Sequence, residues 1–135
     1  MMNRVDILSG VSGSGKSTYA EKLLNEYQGV KVSADHYFMN DGVYDFNPLL
    51  LTQAHGDCFR RFIDFCQKGV NHIVVDNTNT QTFEIAPYVL AAEAFGYLSF
   101  VVTLEVAWHD LYVLANRNVH KVPLRSIETQ YRNLK

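Results

Sequence analysis

Eight consecutive residues, Gly10, Val11, Ser12, Gly13, Ser14, Gly15, Lys16 and Ser17, carry the spacing G-x-x-x-x-G-K-[ST]. Each type at that spacing has a physical task. Gly13 and Gly15 let the backbone turn its N–H groups inward, which builds an anion nest at the positive end of a helix. Lys16 supplies a mobile point charge for the β- and γ-phosphates of a nucleoside triphosphate, and the Ser17 hydroxyl is a ligand for Mg²⁺. Thr18 continues the same phosphate-binding run. The pattern is that of a P-loop, and it sits between an apolar strand-like run and a helix, the context that motif requires.

Three further residues have the right chemistry for a phosphoryl-transfer site, each with a plainer structural reading beside it. Asp76 closes an apolar run, Ile73 to Val75, and is followed by Asn77, Thr78 and Asn79. A carboxylate at the end of such a strand holds a Mg²⁺ shell or simply caps the next segment. Asp35 follows the second apolar run. There it either accepts the proton of an attacking hydroxyl or caps a turn. Arg117 opens the stretch Arg117 to His120, where a guanidinium folds over a nucleotide or pairs with a helix C-terminus. The five histidines show no metal-ligand spacing. His36 and His55 remain candidates for substrate contact.

The elements that must position these groups alternate strand and helix. Val5 to Ser9 reads as a strand, Gly10 to Gly15 as a turn, Ser17 to about Tyr27 as a helix stopped by Gly29, and Val30 to Ser33 as a second strand. Ala34 to Phe46 reads as a loop with a turn at Asn40 to Gly42. Asn47 and Pro48 read as an N-cap and a first helical residue, leading a long helix to about Lys68. His72 to Asp76 is a third strand, and Asn77 to Gln81 a polar loop. The helix after that loop runs to about Phe95, with a kink or separate first turn expected at Pro87. Leu98 to Leu104 is a fourth strand, and His109 to Asn118 and Pro123 to Leu134 are two short helices. The order implies a three-layer α/β/α domain, with a parallel sheet of about four strands covered by helices on both faces.

The 135 residues fit one domain, 1–135, with no repeat or linker to divide them. A net charge of −2 argues against a protein whose main task is gripping long nucleic acid. Cys58 and Cys66 lack disulfide or metal-ligand spacing and read as packing thiols. No signal peptide or bilayer-length apolar run is visible, so the chain is expected to be cytoplasmic and off the membrane. No feature calls for a protein partner.

Taken together, these residues resemble the P-loop kinase family that includes phage-type polynucleotide 5′-kinase domains and NEDD4-binding-protein-2-like proteins. The resemblance runs through Gly10 to Ser17, Ser33 to Phe38, Asp41 to Pro48 with Ala54 and His55, Ile73 to Asn79, and Arg117 to His120. The second branch is the more similar. The resemblance implies ATP and Mg²⁺ as cofactors, Asp35 as general base, Asp76 with Ser17 as metal ligands, and Arg117 as a phosphate-contacting residue in a small lid over residues 108–122. It implies transfer of the γ-phosphoryl group to a hydroxyl, with a 5′-hydroxyl polynucleotide end as the favoured acceptor. A small metabolite or nucleoside is the alternative acceptor, and a non-catalytic ATP-binding module the alternative class. It also implies that the P-loop strand and the Asp76 strand lie near the sheet centre. The chain departs from the polynucleotide kinases at one place. Their acceptor-clamping arginine, shortly after the general-base Asp, is matched here by Phe38. No fifth strand follows the lid segment, so an abbreviated adenine pocket, or one completed by the last helix, is expected.

Overall fold

The computed structural model describes residues 2–11, 14–79 and 81–104. Four parallel strands form one sheet: β1 (Arg4–Gly10), β2 (Val30–Val32), β5 (His72–Asp76) and β6 (Leu98–Leu104). Their spatial order is β2-β5-β1-β6. Helices α1 (Lys16–Tyr27), α2 (Leu51–Gln67) and α3 (Thr82–Ala94) connect them. A small antiparallel hairpin, β3 (Met39–Asn40) and β4 (Val43–Tyr44), lies between β2 and α2.

The two central strands bury apolar side chains on both faces, as parallel strands between helical layers must. Val5 and Ile7 of β1 and Ile73 and Val75 of β5 face one core, against Ala54, Cys58, Phe62 and Cys66 of α2 and Tyr88 and Ala92 of α3. Leu8 and Val74 face the opposite side, against Ala20 and Leu23 of α1. Alternation along each strand therefore assigns side chains to two helical layers, and the three-layer α/β/α expectation holds. Phe62 is fully buried and packs edge-on to Tyr88 with ring centroids 5.0 Å apart. Burying one such ring contributes about 1.5–3 kcal/mol.

The strand order places the site. From β1 the chain crosses to β2 at one edge, whereas from β5 it crosses to β6 at the other. The connections diverge between β1 and β5, and ligands in open parallel sheets bind at the carboxyl ends of the strands at such a switch point. Gly10 and Asp76 end the two strands that border it.

Toward the amino ends of the same two strands, fully buried Asp6 takes two hydrogen bonds from Arg4, at 2.8 and 2.9 Å, and lies 2.6 Å from His72 Nε2. His72 Nδ1 meets the Gln28 carbonyl at 2.8 Å and so pins the turn after α1. Gly29 in that turn has φ +130°, and a Cβ there would collide with the His72 carbonyl. Only glycine fits.

The local differences from expectation have physical causes. The segment after β2 is not plain loop. It contains a 3-10 turn, Ala34–Phe38, and the β3–β4 hairpin, whose turn places Asp41 and Gly42 at positive φ. Asn47 does cap, accepting the Leu49 N–H at 3.0 Å, but the first turn from Pro48 is 3-10 and α2 proper begins at Leu51. Pro87 does not set off a separate first turn: α3 runs through it. The carbonyl that Pro87 leaves without its helical donor belongs to Phe83, whose side chain is exposed, so water can satisfy it. Glu84 secures the start of α3 by accepting the Gln81 N–H at 3.0 Å. Cys58 and Cys66 are free and buried, as packing thiols should be. Among the described residues no helix is long and apolar enough to cross a membrane.

Candidate active site

The chain leaves β1 through buried Gly10 and fully buried Val11 and turns through Ser14, whose N–H donates to the Val11 carbonyl at 3.1 Å. Ser12 and Gly13 lie outside the described residues. Gly15 precedes α1 with φ +97°, a left-handed conformation that favours glycine. No side chain caps α1, so its first N–H groups keep their capacity for an anion. Ser14 Oγ is buried with no hydrogen-bond partner among the described residues. An uncapped helix N-terminus beside an orphaned hydroxyl is what a phosphate cradle shows without its phosphate. The residues fit the group.

Lys16 folds back over the loop and donates to the Val11 carbonyl at 2.9 Å. Burial pushes its pKa down, while Asp76 and then Asp35 hold it up. Ser17 and Thr18 lie exposed on the first turn of α1. Ser17 Oγ donates to Asp76 Oδ2 at 3.4 Å, a long bond. Lys31 Nζ of β2 stands 4.0 Å from the same oxygen. Burial pushes the Asp76 carboxyl above the usual carboxylate range, with Lys16 and then Lys31 opposing. No group of three or more His, Cys, Asp or Glu side chains surrounds a cation position among the described residues. A Mg²⁺ held by one hydroxyl and one carboxylate, and completed by phosphates and water, fits this donor set better than an all-protein cage.

Asp35 stands in the 3-10 turn after β2. Ser33 caps that turn, its Oγ accepting the Asp35 N–H at 3.2 Å. Asp35 is therefore not the cap, and its carboxylate is directed elsewhere. Oδ1 accepts from the Tyr44 hydroxyl at 3.1 Å. Burial and Asp35 together push the Tyr44 phenol up, so it stays a donor. Asp35 also acts electrostatically on both Lys16 and Asp76. The structure thus gathers Gly10, Val11, Ser14, Gly15, Lys16, Ser17, Asp76 and Asp35 at one sheet edge. Arg117 and the lid segment 108–122 lie outside the described residues.

The polar run after Asp76 works as wiring. Asn77 Oδ1 accepts the Ala34 N–H at 2.8 Å, and Asn77 Nδ2 reaches Cys58 Sγ at 3.5 Å. Asn79 Nδ2 donates to the Leu8 carbonyl at 2.9 Å, while Ser9 Oγ donates to the Asn79 carbonyl at 2.7 Å. Gly10 N–H donates to the Thr78 carbonyl at 2.9 Å. These bonds tie the ends of β5, β1 and β2 to one another. Ser33, Tyr44, Asn77 and Asn79 are legible in the sequence only as members of longer runs, without these bonds. Ser33, two residues before Asp35, carries the local signal of a serine-capped turn.

Comparison with known proteins places the family and the fold. A family described as an AAA domain matches residues 5–135. Human (Homo sapiens) NEDD4-binding protein 2 is 34% identical over 123 residues, covering 90% of this chain and 7% of that protein. A mouse (Mus musculus) 2′,3′-cyclic-nucleotide 3′-phosphodiesterase is 31% identical, covering 83% of this chain and 26% of that protein. The chain thus spans under a third of either relative. Among solved structures, a chain of the Pnkp1/Rnl/Hen1 RNA repair complex superposes with a TM-score of 0.74 at 19% identity, covering 98% of this chain and 44% of that one. A gluconokinase from Sinorhizobium meliloti 1021 superposes with a TM-score of 0.65 at 18% identity, covering 99% and 76%. At those identities the structures show a shared fold. The chain belongs to the AAA domain family and is a P-loop kinase-like domain related to NEDD4-binding protein 2.

Proposed function

We propose that the chain is an ATP- and Mg²⁺-dependent kinase that transfers the γ-phosphoryl group to a hydroxyl acceptor. One observation carries this reading: Asp35 stands at the same sheet edge as Lys16 and Asp76 and acts on both electrostatically. A protein that only binds nucleotide needs a phosphate loop and a metal carboxylate. A second carboxylate on a separate strand end, held by Tyr44, adds a base. In the proposed reaction Asp35 takes the acceptor's hydroxyl proton, the freed oxygen attacks the γ-phosphorus in line, and ADP leaves. Lys16 neutralises charge on the transferring group, and Arg117 is assigned the same role from the lid. Ser17 and Asp76 would hold Mg²⁺, which when bound neutralises the β- and γ-phosphate oxygens.

The favoured acceptor is a 5′-hydroxyl polynucleotide end, supported by the structural likeness to a chain of an RNA repair complex. A small hydroxylated metabolite or nucleoside is the second reading. Phe38, where polynucleotide kinases carry a clamping arginine, is only 4% exposed and packs into the aromatic core. The gluconokinase likeness points the same way. Transfer assays with γ-labelled ATP against 5′-hydroxyl oligonucleotides, nucleosides and sugar acids separate the two. Label in none of them would leave a nucleotide-binding module.

A further inference from the structure

Arg61 lies on α2, outside the phosphate loop and remote in sequence from every residue assigned above. Its guanidinium is nonetheless fastened to the Asp35 turn. Arg61 Nη2 donates to the Ser33 carbonyl at 2.9 Å, and Nη1 donates to His36 Nδ1 at 2.9 Å. On its own helix, Nε donates to Asp57 Oδ2 at 2.9 Å. A guanidinium has five N–H groups, so these three bonds leave one on each terminal nitrogen.

Because arginine only donates, His36 Nδ1 must accept. The ring is then neutral, with its proton on Nε2. Burial, then Arg61 and Lys31, push the His36 pKa down, in keeping with that tautomer. The Nε2–H makes no hydrogen bond to the described residues. Asp57 does not cancel the arginine, since it also pairs with Arg60. Arg60 and Arg61 share Asp57, so this part of α2 carries one net positive charge, with two guanidinium N–H groups to spare beside the turn that holds Asp35. Arg61 is 30% exposed and so open to a ligand, yet its geometry is already fixed by three acceptors. Pre-organised guanidinium donors of this kind suit tetrahedral oxyanions.

We propose that Arg61 and His36 form an anion subsite that grips a phosphate on the acceptor, supplying from α2 the clamp that Phe38 cannot. The inference rests on the kinase reading for its meaning, but not for its test. The acceptor class it selects is a hydroxyl compound with a neighbouring phosphate ester, either a terminal monoester or an internucleotide diester.

Three acceptors separate the possibilities: adenosine, adenosine 3′-phosphate and the dinucleotide adenylyl-adenosine. Their KM values are measured for the unaltered chain, Arg61→Ala, Arg61→Lys and the exposed control Lys68→Ala. One charge-assisted clamp should lower KM for the phosphate-bearing acceptors about tenfold or more relative to adenosine. Arg61→Ala should collapse that preference, Arg61→Lys should restore part of it, and Lys68→Ala should keep it. Preference for the monoester or the diester identifies the source of the phosphate. If Arg61→Ala instead slows transfer to all three acceptors by one common factor, Arg61 is only a strut for the Asp35 turn and the subsite does not exist. Equilibrium binding of adenosine 3′-phosphate beside a non-hydrolysable ATP analogue needs no transfer. Arg61-dependent binding without transfer would keep the subsite and remove the kinase reading. Transfer with equal KM for all three acceptors would do the reverse.

Discussion

Asn77 Oδ1 accepts the backbone N–H of Ala34 at 2.8 Å, across 43 residues of chain. The bond joins the residue after Asp76 to the residue before Asp35. It therefore sets the spacing of the two carboxylates that the kinase reading needs, one for metal and one for base. Both partners are buried, so no water competes for the donor.

Asn77→Ala leaves the Ala34 N–H unpaired inside the protein. Orphaning a buried donor costs about 1–3 kcal/mol. Urea unfolding should show a lower midpoint at unchanged slope, and transfer should fall because the Asp35 turn loses its anchor. An unchanged midpoint would mean the bond contributes nothing.

Asp76 predicts a trade of stability for function. Burial holds its folded-state pKa above the ordinary carboxylate value. Between those two values the folded chain keeps a proton that the unfolded chain has released, so stability falls as pH rises through that window. Above it the full penalty persists. Asp76→Asn removes the penalty and gives up a long bond to Ser17 at 3.4 Å, a 4.0 Å pairing with Lys31 and the attraction of Lys16, which burial outweighs in the Asp76 pKa. The variant should melt higher at neutral pH, with the gain vanishing below the ordinary carboxylate range. Its Mg²⁺-dependent nucleotide affinity should drop. A lower melting temperature at neutral pH would contradict this reading.

Lys16 follows the same logic with the opposite sign. Burial holds its pKa below the ordinary lysine value. Between the two values the unfolded chain binds the extra proton, so stability rises as pH climbs through that window. Lys16→Met should leave the ligand-free protein as stable as before or more so. It should remove most of the thermal shift that ATP causes in the unaltered chain, which is worth about 2.7 kcal/mol at a hundredfold excess over Kd. A full ATP shift in Lys16→Met would remove Lys16 from the phosphate site.

Tyr44 tests how Asp35 is held. Tyr44→Phe deletes the hydroxyl that donates to Asp35 Oδ1 at 3.1 Å. A hydrogen bond to a charged group of this kind is worth about tenfold in rate if it aligns the base. Steady-state assays should show kcat reduced with KM for ATP unchanged. Equal kcat would make the contact incidental.

Much of this was legible from sequence because it was local. The phosphate loop is eight contiguous residues, and the abrupt end of Ile73 to Val75 at Asp76 marks the second central strand. Asp35 could be placed but not decided, since a cap and a base share one residue type. The structure gives the cap to Ser33. What was illegible is long-range. Asn79 meets Leu8 across 71 residues, and Arg61 meets Ser33 across 28. On α2, Arg61 reads as half of an ordinary i,i+4 pair with Asp57. Phe38 was visible as a departure, but its burial was not. The hairpin after it was missed because its two strands are two residues each, too short for an alternating pattern.

The kinase reading is tested most directly by γ-labelled ATP transfer in the unaltered chain and in Asp35→Ala, with ATP binding measured on both. The predicted result is labelled hydroxyl product from the unaltered chain, none above background from Asp35→Ala, and equal ATP affinity in the two. Full transfer by Asp35→Ala, or no labelled product from the unaltered chain with any acceptor, would contradict it.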